Sequence, residues 1–203
     1  MERNIPQISL QRMPLYLNFL KGTADRKYVS SRHIAEALGL GEVLVRKDLA
    51  YTSANGRPRV GYVTEELVSA IEECLCCNGR RNAVIVGFGA LGKALLGYDG
   101  FIHYGIEMVA AFDNNPARTG VLHSGKPVYA MGELSAKIKE HGAELAVVCV
   151  PAGAAQEVCG LLIDCGIKAV LNFAPVTLKV PDGVQVIQID VAANLAILSS
   201  SIK

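Results

Sequence analysis

Asn82-Ala83-Val84-Ile85-Val86 runs into Gly87-Phe88-Gly89-Ala90-Leu91-Gly92 and on into Lys93-Ala94-Leu95-Leu96-Gly97-Tyr98. An apolar, β-branched run, three glycines spaced G-x-G-x-x-G and a helical segment beginning near Lys93 predict a strand, a tight turn and a helix. Gly87 permits the turn, Gly89 lets a pyrophosphate approach the backbone, and Gly92 lets helix and strand pack closely. The helix N-terminus adds N–H donors and a favourable dipole for an anion. Phe88, Ala90 and Leu91 complete the turn and count with the glycines as cofactor-contacting positions.

Downstream, the apolar strand of residues 106–112 ends at Asp113, 21 residues past Gly92. A carboxylate there accepts hydrogen bonds from ribose hydroxyls and repels a 2′-phosphate, so NADH and NAD⁺ are expected rather than their phosphorylated counterparts. Helix and strand patterns then alternate, with helices at 133–141 and 154–165 and strands at 144–150, 169–171 and 184–188. That alternation predicts a parallel α/β sheet. Ligands sit beyond the carboxyl ends of such strands. Val150, Pro151, Asn172 and Phe173 are therefore candidates for the far half of the cofactor, with simple loop packing the competing reading for each. Asp190 opens a mostly apolar terminal helix, packed either on its own domain or on another subunit.

Upstream of the fingerprint the character changes. A helix is expected from about Ser9 to Lys21, with Leu10, Met13, Leu17 and Leu20 on one face and a kink or boundary at Pro14. A second begins at Ser30 or Ser31, either of which can cap it, and stops at Gly39; a third spans about Glu42 to Ala50. Two helices joined by so short a glycine-bearing turn make a helix-turn-helix. Ala35 allows close crossing and Val45 packs back into the core. Glu42, Leu44, Arg46 and Lys47 are left to face outward or into a groove. Asn55-Gly56-Arg57-Pro58-Arg59-Val60-Gly61-Tyr62 is a basic turn with short strand flanks, the pattern of a wing.

Charge supports a polyanion partner for this half. The chain of 203 residues has a net charge of +1, yet residues 1–60 hold ten Lys or Arg against five acids. A local excess of that size suits DNA. The DNA-contacting candidates are Arg12, Ser31, Arg46, Lys47, Tyr51, Arg57 and Arg59. The composition, 51% hydrophobic and 19% charged, reads as globular. Met1-Glu2-Arg3-Asn4 lacks a signal-peptide pattern, and the most apolar stretches, 83–92 and 145–155, are too short to span a bilayer, so a cytoplasmic protein with no membrane partner is expected. The six cysteines show no zinc-ribbon spacing and read as reduced, small apolar residues, with redox chemistry or adventitious metal binding the competing reading for Cys74, Cys76 and Cys77; on a helix Cys74 and Cys77 would share a face. No metal is expected.

A dehydrogenase needs a substrate pocket and an acid–base group near the nicotinamide. The nucleotide fold consumes nearly all of residues 82–189, and His33, His103, His123 and His141 lie away from the strand ends. A dinucleotide site without catalytic equipment, joined to a DNA-binding module, points to sensing. The alternatives are a small NAD-dependent oxidoreductase or nucleotide-binding enzyme subunit, and a CoA-binding module, which leaves the winged helix and Asp113 unexplained. The expected architecture is a winged helix-turn-helix over residues 1–78, a Rossmann-type parallel-sheet domain over 79–189 and a terminal dimerisation helix over 190–203.

Several stretches match a known pattern in order: Arg12-Met13-Pro14-Leu15-Tyr16, Val45-Arg46-Lys47-Asp48-Leu49, Val60-Gly61-Tyr62, the glycine fingerprint, Gly97-Tyr98-Asp99-Gly100-Phe101, Ala110-Ala111-Phe112-Asp113, Val150-Pro151-Ala152 and Leu171-Asn172-Phe173-Ala174-Pro175. In these the sequence resembles the Rex family of redox-sensing transcriptional repressors. The resemblance implies a homodimer with a swapped C-terminal helix, a palindromic operator as the double-stranded DNA partner, and NADH competing with NAD⁺ to release it. It also implies a switch in which Asp190 exchanges between Arg12 of the DNA-binding domain and Tyr98 of the nucleotide domain, and Tyr98 counts among the cofactor-contacting candidates as well. The wing departs from the family pattern: Thr52-Ser53 follow Tyr51 where Phe-Gly is usual, and Arg59 stands at a usual glycine.

Overall fold

The computed structural model describes residues 5–23, 25–77 and 79–202. Arg3, part of the basic excess noted above, lies outside them. The chain divides into two compact units, Met1–Gly79 and Arg80–Lys203.

In the first unit, α1 (Gln7–Leu10) and α2 (Met13–Gly22) replace the single helix expected from Ser9. Pro14 stands in the first turn of α2, where its missing N–H costs nothing, so a new helix starts there. β1 (Tyr28–Val29) leads to α3 (Ser31–Leu38), capped by the Ser30 hydroxyl, which accepts from the His33 N–H at 3.1 Å. Gly39 ends α3 at φ +66° and turns the chain into α4 (Glu42–Leu49). β2 (Tyr62–Val63) pairs antiparallel with β1, and α5 (Thr64–Cys74) closes the unit. Met13, Tyr16, Leu17, Leu20, Ile34, Val45, Leu49, Leu67 and Ile71 are fully or almost fully buried, one apolar stripe from each of α2–α5. This is a winged helix-turn-helix. α5 ends at Cys74 and Cys76 takes φ +56°, so Cys74 and Cys77 do not share a helix face.

The second unit holds, among the described residues, a seven-stranded sheet. Its strands are β3 (Arg81–Val86), β4 (Ile106–Asp113), β5 (Val121–His123), β6 (Lys126–Ala130), β7 (Leu145–Val148), β8 (Ala169–Asn172) and β9 (Gln185–Gln188). They lie in the order β5-β6-β4-β3-β7-β8-β9, parallel throughout except for the β5–β6 hairpin at one edge. The helices are α6 (Ala90–Leu96), α7 (Leu134–His141), α8 (Ala152–Asp164) and α9 (Val191–Ser200). Side chains alternate along β3: Val84 and Val86 join the core under α7 and α8, while Ala83 and Ile85 join Phe88, Leu96 and Met108 on the other face. Strand order reverses at β3, flanked by β4 and β7, which places a ligand crevice at the carboxyl ends of β3 and β7. Among the described residues no helix is long and apolar enough to cross a membrane.

Candidate functional site

The glycine turn lies at that reversal. Gly87 adopts φ +99°, and its N–H donates to the Phe112 carbonyl at 2.8 Å. A Cβ at Gly87 would stand 2.5 Å from the Cys149 carbonyl oxygen, so both the backbone angle and the neighbouring strand require glycine. A Cβ at Gly92 would overlap the Gly87 carbonyl oxygen, the close helix–strand packing expected of the third glycine. Gly89, the N-cap of α6, has no atom within 4 Å of where its Cβ would be, leaving the turn open for a phosphate beside the helix N-terminus.

Asp113 closes β4 and is 4% exposed. Its Oδ2 accepts from the Phe88 N–H at 2.7 Å and its Oδ1 from the Asn115 N–H at 2.8 Å. Arg118 Nη1 lies 3.4 Å from Oδ2. Burial alone would raise its pKa, but the two backbone donors and the guanidinium outweigh it and hold the group below the usual carboxylate range. A cavity of about 520 Å³ opens here, lined by Val86, Gly87 and Gly89 on one side, Asp113, Asn114 and Arg118 on a second, and Cys149, Val150, Pro151 and Ala154 on a third. Its size suits a small-molecule or cofactor site. Open backbone at Gly89, a charged carboxylate and apolar walls fit a dinucleotide. Burial pushes the Cys149 thiol up to about 11, so it lines the cavity as a neutral apolar group.

Other sequence-selected positions fall differently. The Phe88 ring is buried in the core, edge-on to His123, and its N–H is spent on Asp113, so this residue braces the turn. Ala90 and Leu91 begin α6 with exposed side chains. Val150 and Pro151 line the cavity, whereas Asn172 and Phe173 do not. Asn172 is fully buried; its Nδ2 donates to the Ala174 and Val176 carbonyls and to Gln188 Oε1, and its Oδ1 accepts from the Ala174 N–H. It ties the end of β8 to the end of β9. Tyr98 is 58% exposed with its ring edge-on to Phe101. Asp190 caps α9, its Oδ1 accepting from the Ala193 N–H at 2.8 Å. Among the described residues α9 buries none, and Val191, Leu195, Ile197 and Leu198 are all more than half exposed.

In the first unit Arg46 and Lys47 are exposed on α4. Ser31 starts α3 half-buried, and Tyr51 follows α4 half-buried. Arg57 and Gly61 bridge antiparallel across the wing turn, with Arg59 between them at φ +63°. Both wing arginines are exposed.

Arg12 is engaged within its own unit. Its Nε and Nη2 donate to Asp48 Oδ2 and Oδ1 at 2.6 and 2.7 Å, and the Tyr16 hydroxyl donates to Oδ2 at 2.6 Å. Asp48 is 1% exposed. Its burial is outweighed by these donors, so its pKa falls below the ordinary range, while burial and Asp48 push Tyr16 up to about 12. This locks α2 to α4, the helix that carries Arg46 and Lys47. Sequence reading singled out Arg12 but gave Asp48 and Tyr16 no role, because their contacts span 36 and 32 residues.

Relatives place these features. A "CoA binding domain" model matches residues 78–176, and a model described as "Putative DNA-binding protein N-terminus" matches residues 4–50. The redox-sensing transcriptional repressor Rex of Treponema denticola is 40% identical over 94% of this chain and 91% of its own length. The chain belongs to the Rex family of redox-sensing transcriptional repressors. The Rex repressor of Streptomyces avermitilis is 41% identical over 97% of this chain and 79% of its own. A crystal structure of RSP in complex with β-NAD⁺ and operator DNA superposes with a TM-score of 0.91 at 29% identity, covering 96% of this chain and 91% of that one. The complex of RSP with β-NADH gives 0.86, covering 97% and 93%. The Rex assignment accounts for both the CoA-type nucleotide fold and the DNA-binding N-terminus.

Proposed function

We propose that the chain is a cytoplasmic repressor that binds operator DNA and is released by NADH, responding to the NADH/NAD⁺ ratio without turning either over. The observation that carries this is the full-length match, at a TM-score of 0.91, to a Rex-family repressor bound to both NAD⁺ and operator DNA. The cavity at Gly87, Gly89 and Asp113 would hold the dinucleotide, with Val150 and Pro151 toward its far half. The bound nicotinamide supplies a redox-dependent charge. The chain's residues bind and orient the ligand and convert its state into a change of arrangement.

DNA contact falls to Arg46 and Lys47 on α4, Arg57 and Arg59 on the wing, Arg12, Ser31 and Tyr51. A homodimer on a palindromic site follows from the family and suits α9, whose exposed apolar side chains call for a second copy of the chain as their cover. Asp190 then exchanges between Arg12 and Tyr98. Arg12 already donates to Asp48 through Nε and Nη2, so in this reading Asp48 shares the guanidinium with Asp190. A coupling of about 1–3 kcal/mol gives a useful response.

The test is operator binding titrated in parallel with NADH, NAD⁺ and NADPH. NADH should weaken it and NAD⁺ should not; operator affinity independent of all three would sink the sensor reading. Asp190→Ala and Tyr98→Phe should keep nucleotide binding and lose most of the difference between NADH and NAD⁺. An unchanged difference removes the switch but not the sensor.

A further inference from the structure

Arg118 enters neither the fingerprint nor the switch, yet it stands in the cavity wall beside Asp113. It is held there by a short 3₁₀ turn, Pro116–Arg118, whose start is fixed by the Asn115 side chain accepting from the Ala117 N–H at 3.0 Å. The guanidinium stands 3.4 Å from Asp113 Oδ2, it lines the cavity, and the side chain is 45% exposed. Among the described residues the only ion pair that Arg118 makes is this one.

Asp113 is the group expected to reject a 2′-phosphate. Each of its oxygens already accepts a backbone N–H, from Phe88 and from Asn115, and its charge faces a cation. Unlike Arg12 on Asp48, which is bidentate at 2.6 and 2.7 Å, Arg118 makes one long contact and keeps most of its donors toward the cavity and solvent. A guanidinium so placed is suited to a phosphate dianion, which it can take in bidentate fashion.

We infer that Arg118 is a specificity-determining residue that offsets the repulsion by Asp113 and sets how strongly the site discriminates between a 2′-hydroxyl and a 2′-phosphate. The carboxylate favours the hydroxylated ribose; the guanidinium opposes it. The result is a narrower preference for NADH over NADPH than a lone carboxylate would impose. The inference rests on the dinucleotide reading above.

Calorimetric titration of the full chain with NADH and with NADPH tests it, in wild type, Arg118→Ala and Arg118→Lys. In Arg118→Ala the affinity for NADPH should fall about tenfold more than that for NADH, and Arg118→Lys should restore part of the loss, since a point charge replaces the fork. Equal changes for both nucleotides, or none, overturn the inference and leave the dinucleotide site standing. Failure of the wild type to bind either nucleotide overturns both.

Discussion

Asp48 and Asp113 are both buried carboxylates beside an arginine, one in each unit, and they are held in opposite ways. Asp48 is gripped by side chains: a bidentate guanidinium and a tyrosine hydroxyl, all within 2.7 Å. Asp113 is gripped by backbone, through the N–H groups of Phe88 and Asn115, with its arginine loosely attached and half in solvent. A side-chain grip fixes one element against another and can be broken as a unit. A backbone grip shapes the turn at the cavity mouth and leaves the carboxylate's remaining lone pairs toward the cavity. The same residue type is therefore a lock between helices in one unit and a cavity-lining group in the other, where we propose that it meets the ribose.

The comparison breaks most visibly at Asp48. Asp48→Ala leaves a largely buried Arg12 and a buried Tyr16 hydroxyl without their acceptor, and should destabilise the N-terminal unit by about 3 kcal/mol. Denaturant unfolding would show it, and a loss under about 1 kcal/mol would mean that the lock is weak. Asp113→Ala should cost less stability, about 1–2 kcal/mol for the buried Phe88 N–H, the part-buried Asn115 N–H being able to turn to water, but should weaken NADH binding and narrow the gap to NADPH. If it leaves nucleotide affinity intact, Asp113 is a scaffold residue alone.

Acid should act on both groups with the same sign. Burial would raise their pKa values, but their donors hold them below the unfolded value of about 3.9, so their contributions are fully present above that pH. Those contributions are lost as the pH falls through the lower folded values. Stability traced by circular dichroism should change little on account of these two groups between pH 7 and 5 and decline below about 4. If Asp48→Asn and Asp113→Asn remove a decline seen above pH 5, the assignment of both groups fails.

The smallest expected effect lies on the wing. Gly87 and Arg59 both have positive φ, but only Gly87 is glycine. A side chain in this region costs about 1–2 kcal/mol, and glycine returns part of that gain as unfolded-state entropy. Arg59→Gly should raise stability by up to about 1 kcal/mol over Arg59→Ala, while both lose DNA affinity equally and flatten its salt dependence by about one unit. Equal stability of the two variants would show that the wing carries no strain. Arg59 keeps a charge where a bare backbone would be easier to fold.

What could be read from the residues in a row was local. The G-x-G-x-x-G turn, the apolar strand before it, the acid closing the next strand, and the helix pair joined at Gly39 depend on side-chain periodicity and turn chemistry within a few residues. The β5–β6 hairpin was not legible, because its strands are short and Pro127 interrupts the pattern. Nor was the division of labour among the chosen residues. Phe88 and Asn172 are spent on the scaffold, Arg12 is committed to Asp48, and Cys149, Met131 and Arg118 join the cavity wall. The sequence by itself determined the class of fold and the turn that a phosphate can approach. The tertiary structure decided which polar groups remain available to a ligand, because a donor or acceptor is free only after every buried partner, near or far in the chain, has been satisfied.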